Sequence, residues 1–207
     1  GGALTVSKGN YTADSITLGS GSLTIGNGGT SDATLTVNGN VVLGAADTAG
    51  GIIVSGDNST LDISNGAVSY ASDNTNKKTE FKLSGASSSL KISTESLAGL
   101  MRADSGAQFN LSGANTTLVA VGDGEITLKA GQLGSGAFGT TPMGKNGISL
   151  SGAKSSFHTD GSLKIDLADA TEFSLGSNQT ANDRKISAGK LEFVTTATGP
   201  VALKSGT

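Results

Sequence analysis

IIVSGDNSTLDI, residues 52–63, is one of four copies of a twelve-residue block. The others are FKLSGASSSLKI at 81–92, FNLSGANTTLVA at 109–120 and ISLSGAKSSFHT at 148–159. Each reads apolar, any residue, apolar, Ser-Gly, two or three small polar residues, then apolar, any residue and a second apolar-type site. Both flanks alternate with period two, which puts two side chains on one face and the middle one on the other. The block therefore predicts strand, bend, strand. Copies begin at Ile52, Phe81, Phe109 and Ile148, in steps of about 29, 28 and 39 residues. Self-similarity at this period is the signature of a stacked, quasi-one-dimensional fold.

The same short triplet recurs outside the blocks. It appears as Leu4-Thr5-Val6, Ile16-Thr17-Leu18, Leu23-Thr24-Ile25, Leu35-Thr36-Val37 and Val41-Val42-Leu43. Beyond the second block it returns as Ile126-Thr127-Leu128, Leu163-Lys164-Ile165, Phe173-Ser174-Leu175, Leu191-Glu192-Phe193 and Val201-Ala202-Leu203. Links of Ser-Gly, Asn-Gly, Gly-Asn and Asp-Gly supply turn chemistry, glycine by accepting positive φ and the polar residues by bonding their own backbone. Antiparallel hairpins would use two-residue turns, whereas a parallel β-helix bends about three times per coil. The repeat favours the β-helix, with roughly twenty residues or more per coil and seven to nine coils. Leu61, Leu90, Leu118 and Phe157 should then form one internal column, and Val54, Leu83, Leu111 and Leu150 a second. Stacking gathers apolar side chains worth about 1.5–3 kcal/mol each against the ordering of a glycine-rich backbone.

Three stretches break the alternation. Residues 71–80 (ASDNTNKKTE) read as a solvated loop. Residues 94–103 carry Leu97, Leu100 and Met101 at helical spacing behind Ser93 and Glu95, the one expected short helix. Residues 129–147 form a Gly-rich insertion that lengthens the third step. No linker divides the chain, so residues 1–207 are expected to be one domain, a piece or mature part of a longer protein.

Composition narrows the function classes. Gly accounts for 32 of 207 residues without a Gly-X-Y period, charged residues make up 15% and the formal net charge is −3. No basic face is present for nucleic acid or an anionic membrane. There is no cysteine, so disulfides and thiolate metal sites play no part. No apolar run approaches the ~20 residues of a membrane span, and no membrane insertion by this segment is expected.

These blocks, with GSLTIGNGG at 21–29 and ATLTVNGN at 33–40, resemble the passenger domains of Gram-negative autotransporters and related secreted adhesins. The likeness covers residues 4–203 and is one of texture. It implies a right-handed parallel β-helix at the bacterial surface or outside the cell. The family's membrane barrel and the Gly-Asp-Ser-Gly motif of its serine-protease branch have no counterpart here, so no activity carries over.

Candidate chemistry is sparse. His158, the single histidine, takes the outward slot of Phe157-His158-Thr159, with Asp160 as its only obvious sequence neighbour; it reads as a solvated surface residue. Asp160, Asp166, Asp169 and Glu172 are the densest carboxylates, and a glycosidase pair would need about 5–10 Å between them. A lyase would add Arg102 or Arg184; a solubilising face is the simpler expectation. Gly28-Gly29-Thr30-Ser31-Asp32 is a single poor match to a calcium nonapeptide. Outward Thr5, Thr17, Thr24, Thr36 and Thr127 hint at an ice-binding lattice, but Asp62, Lys82, Lys91 and Lys164 interrupt it. Neither cofactor nor metal is expected, and the chain is not expected to be an enzyme. The expected role is structural and adhesive, through self-association or host or bacterial cell-surface molecules, with Asn74, Asn76, Lys77, Lys78, Lys129, Gln132 and Lys145 of the two loops as partner contacts. A carbohydrate-active enzyme and a surface-layer or fibre subunit are the alternatives.

Overall fold

The computed structural model describes residues 2–44, 51–71, 79–102, 107–129, 132–134, 147–167, 172–174, 184–195 and 202–204. Every strand pairing among them is parallel. The chain is an all-β solenoid of about five turns with a single short helix. Hairpins are therefore excluded for these strands.

Three sheets run along the stack. The first turn lays down β1 (Ala3–Val6), β2 (Gly9–Ala13) and β3 (Ile16–Thr17). The second repeats the order with β4 (Ser22–Ile25), β5 (Ala33–Val37) and β6 (Val41–Leu43), and the third with β7 (Ile52–Val54), β8 (Thr60–Ile63) and β9 (Val68–Tyr70). In the fourth, β10 (Thr79–Leu83) and β11 (Ser89–Ser93) are followed by helix α1 (Thr94–Leu100). Then come β12 (Ala107–Leu111), β13 (Thr117–Val121), β14 (Glu125–Lys129), β15 (Leu133–Gly134), β16 (Gly147–Leu150), and the long β17 (Ser156–Asp166). The chain closes with β18 (Glu172–Ser174), β19 (Lys185–Val194) and β20 (Ala202–Lys204). One sheet orders β1-β4-β7-β10-β12-β16-β15, the next β14-β17-β13-β11-β8-β5-β2 with β19 on β17, and the third β3-β6-β9.

The expected seven to nine coils overcount. Consecutive triplets prove to be successive faces of one turn, and Ile52, Phe81 and Phe109 are register partners, so a full circuit consumes nearly thirty residues there, well above the minimum of about twenty. Both expected columns form. Leu61, Leu90, Leu118 and Phe157 stack in register, as do Val54, Leu83, Leu111 and Leu150. All eight are buried. A third column sets the rings of Phe81 and Phe109 at 4.4 Å and 10°, a stacked pair that adds about 0.5–1.5 kcal/mol to its burial.

Helix α1 begins where the sequence places it. The Ser93 hydroxyl caps it by accepting from Ser96 N–H at 3.2 Å, Glu95 sits in the first turn, and Leu97, Leu100 and Met101 are buried. It takes the third position of its turn and packs against β9 and β14. Ser96 Oγ accepts Val68 N–H at 2.9 Å, satisfying a β9 donor that a further strand would otherwise take. Burial also pushes the Tyr70 hydroxyl of β9 above the ordinary tyrosine range, while hydrogen bonding to Thr79 pulls it back.

The two expected loops are shorter than their sequence limits. Thr79 and Glu80 start β10 rather than ending a loop, and residues 72–78 lie outside the described part. Within 129–147, Lys129 ends β14, Gly147 opens β16, and Leu133–Gly134 forms β15 against the outer edge of β16. The insertion thus returns a strand to the sheet, because Leu133 can bury its side chain beside Ile148.

Candidate functional site

The Ser-Gly corners build the surface from which any site must be made. Ser55 and Gly56 N–H both donate to Ile25 O at 2.9 and 3.3 Å, and Ser84 and Gly85 repeat this on Val54 O at 2.9 and 3.2 Å. Ser112 and Gly113 do the same on Leu83 O, and Ser151 and Gly152 on Leu111 O. Two residues later the chain passes through positive φ at Asn58 (55°), Ser87 (57°), Asn115 (56°) and Lys154 (56°). None of the four corner glycines has positive φ. Their constraint is space. A Cβ on Gly85 would overlap Gly56 O, one on Gly113 would overlap Gly85 O, and one on Gly152 would overlap Gly113 O. Beside them Ser59, Ser88, Thr116 and Ser155 are buried.

The outward slots are equally ordered. Thr36, Asp62, Lys91, Val119, His158 and Ser187 are successive register partners along one face. The threonine lattice is broken by Asp62 and Lys91, which approach to 3.9 Å. On the neighbouring face the column Thr5, Thr24, Ile53, Lys82 is likewise mixed. Exposed ion pairs at Lys164–Glu125 (3.3 Å) and Lys190–Glu192 (3.2 Å) add little stability in water.

One constellation stands out chemically. His158 Nδ1 lies 2.9 Å from Ser187 Oγ, and its Nε2 lies 3.2 Å from Asp160 Oδ1. Asp160 Oδ2 in turn accepts Gly122 N–H at 3.3 Å. The side chains of His158 and Asp160 are 41% and 45% exposed. A hydroxyl, an imidazole and a carboxylate in this order can pass a proton from oxygen to nitrogen. The Asp160 neighbour was legible from sequence; Ser187 was not. The signal that finds it is the repeat itself, since one winding of 29 residues carries Phe157 onto Ile186 and His158 onto Ser187.

The remaining sequence candidates do not converge. Asp160 lies at the register shift in β17, between the first half that pairs with β13 and the second half that pairs with β14, and Asp166 ends that second half. Asp169 is outside the described residues, and Glu172 falls in β18 with its side chain undescribed. Arg184 Nη2 donates to Ser151 O at 3.0 Å, and Arg102 follows the helix. Among the described residues no three His, Cys, Asp or Glu side chains could hold a metal ion. Asn74, Asn76, Lys77, Lys78 and Lys145 lie outside the described residues, and Lys129 is exposed. Gln132 is buried, accepting Lys129 N–H at 2.8 Å and donating to Met101 O at 3.0 Å, so it ties the insertion to the helix end.

A groove of about 490 Å³ follows the α1 corner, lined by residues such as Ser64, Asn65, Ser93 and Glu95. A second, of about 340 Å³, runs over the first turn between Leu4, Ile16 and Leu18. No helix among the described residues is long and apolar enough to cross a membrane. No family model, curated protein or solved structure matches the chain.

Proposed function

We propose that the chain is a structural β-solenoid segment of a bacterial surface or secreted protein, acting in self-association and adhesion. The observation that carries this reading is the register of the stack, which repeats outward side chains turn after turn along one face. Thr36, Asp62, Lys91, Val119, His158 and Ser187 are successive partners there. Asp62 and Lys91 are neighbours in that column, so a second copy laid antiparallel on this face sets each against its opposite charge. A second copy of this chain is therefore the occupant we assign. The fibre-subunit reading draws on the same observation.

The adhesive part and the bacterial surface rest on the resemblance of the Ser-Gly blocks to autotransporter passengers. The polar members of the outward columns, such as Thr36, Asp62, Lys91 and Ser187, supply many weak hydrogen bonds, and repetition would multiply them.

Analytical ultracentrifugation across a concentration series tests the association. Self-assembly that weakens in an Asp62→Lys, Val119→Lys double variant, which makes the column around Lys91 uniformly basic, is expected. A chain that stays monomeric throughout, or a variant that assembles as well as the parent, would reject the reading.

A further inference from the structure

We propose that Ser187 is an acylation site, a serine set apart as a nucleophile by His158 and Asp160 and open to small activated acyl donors. The placement comes from the stack. His158 and Ser187 are register partners on β17 and β19, and Asp160 lies two residues along the same face. One tautomer satisfies every contact. With the proton on Nε2, that nitrogen donates to Asp160 Oδ1 and leaves the Nδ1 lone pair to accept the Ser187 hydroxyl. The Gly122 N–H holds the other carboxylate oxygen, so the orienting group is itself fixed. Nucleophile, base and orienter are then in hydrogen-bond series.

Several other described serines are committed differently. Ser59, Ser55 and Ser155 donate to backbone carbonyls, and Thr60 and Ser89 share one hydrogen bond. With one histidine in the whole sequence, no other hydroxyl of this chain can have an imidazole partner.

The step balances without a further reagent. Ser187 Oγ attacks the carbonyl carbon of an ester, forming a C–O bond as its proton passes to His158 Nδ1. The tetrahedral adduct then expels the ester's alkoxide or phenolate, which takes that proton and leaves as the alcohol. The product is an acyl-serine. A positioned base contributes about 10²–10⁴ in rate. The side chains of His158 and Asp160 are 41% and 45% exposed, so water reaches the reacting groups. The expected behaviour is slow, single modification by acetyl-sized groups.

The test treats the whole chain with p-nitrophenyl acetate and maps the modified peptides, using hydroxylamine to separate labile serine esters from lysine amides. One hydroxylamine-labile acetyl group on the Ser187 peptide is expected, absent in Ser187→Ala. Its rate of appearance should fall at least about tenfold in His158→Gln, with far-UV circular dichroism unchanged. Ester label spread over many serines, no ester label, or a His158→Gln protein that is folded and labelled at the parent rate would each overturn the assignment. A fluorophosphonate probe provides a second readout, and its failure to select Ser187 in the folded parent would count the same way.

Discussion

Gly56, Gly85, Gly113 and Gly152 hold equivalent corners, and what they share is the closeness of the next backbone. The strained conformation falls two residues on, where Ser87 and Lys154 stand at φ values that favour glycine. The sequence pattern shows Ser-Gly at each of these four corners and invites the opposite assignment, glycine for its freedom. These two causes predict opposite responses. Gly85→Ala drives a Cβ into Gly56 O and should cost about 1–3 kcal/mol or more. Lys154→Gly relieves a left-handed residue and should stabilise by about 0.5–1 kcal/mol, the unfolded chain's added freedom offsetting part of the gain. Urea midpoints of the two variants, measured beside the parent, should move in opposite directions.

At the scale of elements, strands that bury two apolar side chains were legible because period two survives any tertiary context. Strands that do not were hidden. β2 reads GNYTA and offers inward only Tyr11 and the small Ala13; it is a strand because its backbone pairs with β5. β15 was hidden in a Gly-rich insertion for the same reason. The helix was legible through its cap and its three apolar positions, but its bond to β9 was not, since Ser96 and Val68 lie 28 residues apart. That bond makes a prediction. Ser96→Ala leaves the Val68 N–H without its partner in a buried setting, and should cost about 1–3 kcal/mol. Ser64→Ala, on the rim of the same groove and bonded to Asp62 of its own strand end, should cost less. Thermal denaturation of both variants compares them. Ser187 was missed on similar grounds, because proximity across turns is a property of the winding and not of the neighbouring sequence.

For the whole molecule, stability should vary along the axis. Each turn contacts its neighbours, so a solenoid's stability is close to a sum of turn and interface terms. Turns flanked on both sides bury Phe81, Leu90, Phe109 and Leu118 completely, while the first leaves Leu4 and Tyr11 open. Amide exchange followed by NMR should therefore show protection rising from β1 and β2 to a maximum in β10–β13. Equal protection in β2 and β11 would contradict this gradient.

The in-register pairing of Leu23, Ile52 and Phe81 also sets how such a chain can change in length. Excising residues 52–80 would land Phe81 on Leu23 and Leu83 on Ile25, because both junctions belong to the same column. Losing one residue within a strand would instead turn every side chain of that face inside out. Growth and shrinkage are thus quantised, silent in whole windings and ruinous in fractions, which is the arithmetic by which tandem duplication can lengthen such a rod.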